Sequence, residues 1–185
     1  MQSAAPTSEP ASLAEAKNQL GLPAGESDHD NYLSRLITLG REQVESDTGM
    51  IGFTRSWVLS LDTWPADFIQ LDKWPLISVT SIAYLDTAGS SQAWSAGNYD
   101  VDISRERSVV FPSFGITWPA IRATQNAITV TYVAGHATVG AIPQRFRQAV
   151  LAVVSREFLD RQGSTNRFDD AYHALIPSLS RASYP

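Results

Sequence analysis

The chain opens with a short amphipathic segment. Ser12 and Glu15 have the spacing of a capping box, in which each residue satisfies a backbone amide of the other. The apolar positions that follow repeat at helical steps until Gly21 and Pro23, which interrupt a helix. The pattern predicts a small opening helix.

A longer helical pattern follows, beginning at Ser27 or Asp28 and ending before Gly49, a residue that favours the left-handed turn after a helix. The apolar positions of this segment recur at steps of three and four residues: Leu33, Leu36, Ile37, Gly40 and Val44. Charged residues occupy the other faces. We predict a helix with one buried side.

The period then changes to the alternation that is typical of strands. Short runs rich in β-branched and aromatic residues are separated by Gly, Pro, Asn and Ser, and they cover residues 57–61, 68–71, 78–85, 99–103, 108–111 and 127–133. Turns are predicted at 86–91 and 96–98, and residues 112–126 are predicted to form a long exposed loop. These features indicate an antiparallel meander.

A helical pattern resumes after Pro143, a favourable first-turn residue. One apolar face carries Phe146, Ala149, Val150, Val153 and Val154. Leu151 and Phe158 extend the apolar surface to a neighbouring face, so the helix needs two packing partners. We expect one to be the helix of residues 29–48, and a neighbouring subunit is the candidate for the other.

A last amphipathic segment contains Phe168, Ala171, Tyr172, Leu175 and Ile176 and is predicted to end before Pro177. It either docks on a partner or folds back on its own core. The fold class is therefore α+β: a small helical bundle formed by N- and C-terminal helices, with an inserted antiparallel β domain. The predicted divisions are a flexible arm at 1–11, helices at 12–50, the β insertion at 51–136, the completing helix at 137–163 and a docking tail at 164–185.

The amino-acid composition argues against several classes of function. The chain has 43% hydrophobic and 18% charged residues and a net charge of −5, with no cysteine. This composition excludes disulfides and thiolate sites, and it opposes a general nucleic-acid binder, which needs a basic patch. The longest apolar runs are far shorter than the roughly 20 residues that cross a bilayer, so no membrane contact is expected.

Residues with catalytic potential do not form a recognisable motif. The histidines, His29, His136 and His173, lack metal-binding spacing, and neither a nucleophile elbow nor a phosphate-binding loop is present. The segment 28–30 (Asp-His-Asp) is expected to cap a helix rather than bind metal. We predict no enzyme, no cofactor and no metal; a hydrolase pairing His136 with Asp100 or Asp102 is a third-ranked alternative.

Three Trp-Pro pairs, beginning at Trp64, Trp74 and Trp118, allow a second function. Exposed tryptophans in a β domain stack on sugars, so a carbohydrate- or host-surface-binding module of a phage particle is the main alternative. It requires the three indoles to be coplanar and exposed. The favoured interpretation is that proline ends a strand and the indole packs over the sheet. Trp118, in the long loop, is the best candidate for reaching a partner.

The order of these features resembles the head–tail connector or adaptor proteins of long-tailed bacteriophages, prophages and gene transfer agents, in the branch with a β insertion. The matching segments, over residues 12–162, are Ser12-Leu13-Ala14-Glu15-Ala16-Lys17, Asp28-His29-Asp30, Val44-Glu45-Ser46-Asp47-Thr48-Gly49, Trp57 through Pro65, Trp74-Pro75-Leu76-Ile77-Ser78-Val79, Tyr84-Leu85-Asp86, Tyr99-Asp100-Val101, Val130-Thr131-Tyr132-Val133-Ala134-Gly135, and the Pro143 helix with Gln148-Ala149.

The resemblance implies a structural virion protein in the neck between head and tail, assembled in the host cytoplasm. It implies a homo-oligomeric ring, usually of twelve copies, that binds the portal protein and offers the tail-completion or stopper protein its attachment surface. DNA would pass through the ring without specific binding, which agrees with the acidic net charge.

Contact residues follow from the resemblance and the apolar patterns together. The portal-docking candidates are Phe168, Tyr172, Leu175, Ile176 and Tyr184, and the subunit-contact candidates are Leu151, Phe158 and Trp118. If these faces lie between subunits, aspartate at Phe158 or Tyr172 is expected to weaken assembly and spare the folded monomer.

Overall fold

The computed structural model describes residues 6, 8–103, 108–160 and 167–179. The chain divides into two compact units. The helical unit contains Pro6–Phe53 and the chain from His136 onward, and the β unit contains Thr54–Gly135. Helices lie toward both ends of the chain and antiparallel strands lie between them, which confirms the predicted α+β class.

The first helix, α1 (Leu13–Leu20), has the predicted caps. The Glu15 amide donates to Ser12 Oγ at 3.2 Å, and the Ser12 amide donates to Glu15 Oε2 at 2.8 Å. Gly21 follows the helix in the left-handed conformation, at φ 69°. The capping box therefore forms as its spacing predicts.

The second helix, α2 (Asp30–Thr48), begins slightly later than predicted and ends, as predicted, at Gly49. The expected side-chain cap is absent, because the N-cap residue is His29 and its side chain makes no capping hydrogen bond. Asp30 instead pairs with the buried Lys17 of α1 at 2.6 Å. Asp30 thus links α1 to α2, and its carboxylate lies at the positive end of the α2 helix dipole.

The third helix, α3 (Gln144–Asp160), contacts α1, α2 and the fourth helix, α4 (Arg167–Leu179). The five residues of its predicted apolar face are fully buried. Gly40 of α2 allows a close approach, since a Cβ there would lie 3.0 Å from the Val150 carbonyl oxygen. The second partner of α3 is α4 of the same chain, where a neighbouring subunit was the candidate. Helix α4 continues through Pro177 rather than ending before it.

A buried ion cluster ties the N-terminal segment to α2. Arg41 is 3% exposed; its Nε donates to Glu9 Oε2 at 2.8 Å and its Nη1 donates to Glu45 Oε2 at 3.1 Å. Glu45 also accepts the Gly52 amide at 3.0 Å. Glu9, which the sequence placed in the N-terminal arm, is therefore held in the helical unit.

Replacing Glu45 by alanine should lower the free energy of unfolding by about 3 kcal/mol, because it leaves Arg41 buried with less compensating charge and removes the acceptor of the Gly52 amide. The matched control is Glu42→Ala, since Glu42 pairs with the same arginine at 3.4 Å but is 63% exposed. Its loss should stay within about 1 kcal/mol. Urea unfolding measures both, and equal losses would contradict a special role for the buried pair.

The described residues of the β unit form seven strands: β1 (Arg55–Leu61), β2 (Ile69–Gln70), β3 (Leu76–Leu85), β4 (Ser91–Trp94), β5 (Tyr99–Asp102), β6 (Val109–Pro112) and β7 (Ile128–Ala134). They form a four-stranded sheet in the order β1-β7-β3-β4 and a three-stranded sheet in the order β2-β6-β5. All neighbouring strands within the two sheets are antiparallel.

This order corrects the predicted meander, because β7 lies between β1 and β3. Arg55 is opposite Ala134 and Leu61 is opposite Ile128, so the first and last strands of the insertion pair along their whole length. Strand β4 was not predicted, since only its last residue, Trp94, is a large apolar residue.

The four-stranded sheet buries one face of its strand β7. Along β7, alternate residues from Ile128 to Ala134 are buried, as period-two alternation requires. In the three-stranded sheet, Val109 and Val110 of the central strand β6 are both buried, as is Ile69 of β2. The rings of Trp94 on β4 and Tyr99 on β5 lie 5.5 Å apart, so these two edge strands are joined by aromatic packing.

Candidate interaction surfaces

The predicted docking segment is largely α4, and its apolar residues differ in exposure. Tyr172 is 2% exposed and Leu179 is fully buried. Phe168, Leu175 and Ile176 are half-buried and retain accessible surface. Tyr184 lies outside the described residues.

Polar contacts hold α4 against the neighbouring helices. The Tyr172 hydroxyl donates to Asp47 Oδ2 of α2 at 2.5 Å. Arg156 of α3 pairs with Asp169 at 3.2 Å, and its guanidinium lies 5.7 Å from the centre of the Tyr172 ring. Burial and the hydrogen bond to Asp47 raise the pKa of the Tyr172 hydroxyl, which therefore stays protonated as a donor. The segment folds back on its own unit.

The two subunit-contact candidates on α3, Phe158 and Leu151, also differ in exposure. Phe158 is 6% exposed, and its ring lies 5.5 Å from that of His29 and 6.1 Å from that of Tyr32. Leu151 is half-buried. Aspartate at Phe158 or Tyr172 would bury a carboxylate, so we expect these variants to destabilise the monomer rather than to spare it.

Truncating Phe158 to alanine should cost about 3–5 kcal/mol of unfolding free energy, the usual loss for a buried phenylalanine. Leu151→Ala, on the same helix but half-buried, should cost clearly less, about 1–2 kcal/mol. Denaturant unfolding followed by circular dichroism compares them. A larger loss at Leu151 would mean that the packing of α3 differs from this description.

Trp118 packs inside the β unit rather than projecting from it. Its ring is stacked on Trp64 at a centroid distance of 4.6 Å and an interplanar angle of 12°, and it lies 5.0 Å from Trp94. Trp64 Nε1 donates to the carbonyl of Pro119 at 2.8 Å. These contacts fix the middle of the long loop to the strand region.

The geometry opposes the carbohydrate-binding alternative. Trp74 is only 7% exposed. Trp64 and Trp118 are both half-buried, and the faces that they turn toward each other are covered by the stacking. The three indoles therefore do not form the exposed coplanar platform that sugar stacking requires.

A turn at the start of the long loop carries an exposed aromatic residue. The turn, residues 113–116, is called the loop tip below. Phe114 is completely exposed and Ile116 is 42% exposed. Gly115 adopts φ 79°, the Ile116 amide donates to the Ser113 carbonyl at 2.9 Å, and the Ser113 amide donates to the Asn98 carbonyl at 3.0 Å. The loop tip is thus a hydrogen-bonded turn attached to the rest of the β unit.

A groove of about 460 Å³ with a mixed polar and apolar lining lies beside strands β1 and β2. Leu59 and Leu61 of β1 line it together with Phe68 and Ile69, and Asp72 adds a carboxylate. Phe68 is 37% exposed. Both strands are edge strands of their sheets, so the groove marks the open side of the β unit.

The described residues contain no group of three or more His, Asp or Glu side chains that could hold a metal ion. The histidines are separate: His29 contacts Phe158, His136 Nδ1 lies 3.0 Å from the Ile51 carbonyl oxygen, and His173 is exposed near Asp169. Over the same part of the chain, no helix is long and apolar enough to span a membrane.

Comparisons with known proteins support the fold. No family model matches the chain, and no curated protein does. Among solved structures, a chain from "Neck of empty GTA particle computed with C6 symmetry" has a TM-score of 0.80 at 22% identity, and one from "Virion of native gene transfer agent (GTA) particle" has 0.79 at 20%. A chain from "Neck of native GTA particle computed with C12 symmetry" has 0.69 at 22%. Each match covers 97% of this chain and 94% of the other.

Proposed function

We propose that this protein is a structural neck component of a phage-like particle, an adaptor that forms a ring under the portal and provides the attachment surface for the tail or stopper protein. The observation that carries the proposal is the shared fold with chains of gene transfer agent particles, which extends over both the helical unit and the β insertion.

The symmetry named for two of those particle necks supports a closed ring of identical subunits. A closed ring is built from one repeated contact between two different surfaces of the subunit. The net charge of −5 suits a ring that DNA passes through, because an acidic protein lacks the basic footprint that holds phosphates.

The proposed portal contact is the outer side of α4 together with the residues after it. Phe168, Leu175 and Ile176 retain exposed apolar surface, whereas Tyr172 and Leu179 are buried and hold the helix in position. Tyr184 follows within a short distance along the sequence and is the proposed aromatic anchor.

Electron microscopy of the purified protein, alone and mixed with the portal protein of the same particle, tests the function. A ring stacked coaxially on the portal is expected, and rotational averaging gives its copy number. A protein that ignores an assembled portal would overturn the adaptor role.

Tyr184→Ala should weaken portal binding by about tenfold, the change that corresponds to 1.4 kcal/mol, a typical loss for an aromatic anchor. The matched control is Val139→Ala, at an exposed apolar position elsewhere in the helical unit. Sedimentation or surface binding to the portal measures both affinities. Unchanged binding by Tyr184→Ala, with the fold intact, would remove Tyr184 from the contact.

A further inference from the structure

Strand β2 and its flanking residues present a row of exposed side chains to the groove. Ile69 and Leu71 are each 1% exposed. The Leu71 amide donates to the Ser108 carbonyl at 2.9 Å, so the antiparallel pairing of β2 with β6 continues beyond the strand and the chain stays extended. Since successive side chains of an extended chain face opposite sides, the residues that alternate with this buried pair share the other side. They are exposed and line the groove: Phe68, Gln70 and Asp72.

This row places an aromatic ring beside a pair of polar groups. Phe68 is 37% exposed. Gln70 Nε2 donates to Asp72 Oδ1 at 3.5 Å, so the amide and the carboxylate lie next to each other. The pair combines N–H donors with several oxygen acceptors, which is what adjacent hydroxyl groups require, because each hydroxyl both donates and accepts. The exposed Thr63 adds a hydroxyl of its own to the lining.

The rest of the groove supplies apolar surface and space. Leu59 and Leu61 of β1 line it together with Pro65. Its volume of about 460 Å³ falls within the range of about 300–1,000 Å³ that is usual for small-molecule sites. An extended chain rises about 3.3 Å per residue, so the row from Phe68 to Asp72 covers about 13 Å and exceeds the length of one sugar ring. The groove therefore suits a short chain of rings rather than a single one.

We propose that this groove binds a neutral oligosaccharide. A sugar ring combines apolar C–H faces with a rim of hydroxyl groups: the C–H face packs on the Phe68 ring, and the hydroxyls exchange hydrogen bonds with Gln70 and Asp72. The exposed carboxylate of Asp72, with that of Asp67 close by in the sequence, repels acidic sugars. The site is separate from the stacked tryptophans, which form no such platform. It goes beyond the proposed neck role, because it does not depend on ring formation.

Nuclear magnetic resonance of the isotope-labelled protein tests the proposal with the neutral trisaccharides cellotriose, maltotriose and chitotriose and the acidic trisaccharide trigalacturonate. At least one neutral trisaccharide should give saturable shifts of backbone amides between residues 59 and 72 and bind more tightly than its monosaccharide, whereas trigalacturonate should not bind. Gln70→Ala and Asp72→Ala should each weaken binding about tenfold, because each removes hydrogen-bond partners. The matched control is Asp67→Ala. Asp67 is exposed in the same segment but does not line the groove, so its loss should leave binding unchanged.

The absence of saturable shifts with every neutral trisaccharide would overturn the proposal. Binding that survives in both Gln70→Ala and Asp72→Ala would also overturn it, because the sugar would then lie elsewhere. The same holds if the peptide Lys-Val-Lys-Val-Lys shifts these amides and no saccharide does, since the groove would then serve a basic segment. The replaced side chains are exposed, so melting temperatures should stay close to that of the native protein and exclude unfolding as the cause of lost binding. The assay needs neither the ring nor the portal, so its outcome is independent of the proposed function.

Discussion

The enclosure of α3 is the constraint on which the helical unit depends. Its apolar surface extends over two faces, and a helix of this kind is not stable in water unless other elements cover both. Helices from both sides of the β insertion supply that cover: α1 and α2 from before it and α4 from after it. The long central segment must therefore leave the helical unit and return to it.

The β insertion meets this requirement through the pairing of its terminal strands. Because β1 and β7 are antiparallel neighbours, the chain enters and leaves the β unit at adjacent positions, with Arg55 opposite Ala134. Just outside them, Phe53 forms a bridge with His136 and the His136 amide donates to the Gly52 carbonyl at 3.3 Å. A meander would place its first and last strands at opposite edges of the sheet. The chain could then not enter and leave the β unit at adjacent positions, which explains why the observed strand order differs from the predicted meander.

Local signals predicted local structure well. The Ser12 and Glu15 spacing, the glycine at 49 and the apolar faces of α2 and α3 correspond to the observed helices, because caps and helical periodicity depend on residues a few positions apart. Local signals did not predict the strand order, because β1 pairs with β7, which lies far along the chain. The partner of an apolar face is equally non-local: the same stripe on α4 fits docking on a portal and packing on α3, and the burial of Tyr172 became evident only from the structure.

The aromatic residues show why a binding residue is difficult to choose from sequence. Tryptophan draws attention because it is large and rare, yet that size favours its burial, and Trp64, Trp94 and Trp118 pack on one another. Phe114 has no such signal in the sequence, where only the Gly115 that follows it indicates a turn. The stacking of Trp118 on Trp64 restrains the loop, and a restrained loop can hold an exposed phenylalanine in one orientation. Two of the three suspected tryptophans, Trp64 and Trp118, therefore restrain the loop that carries the exposed Phe114.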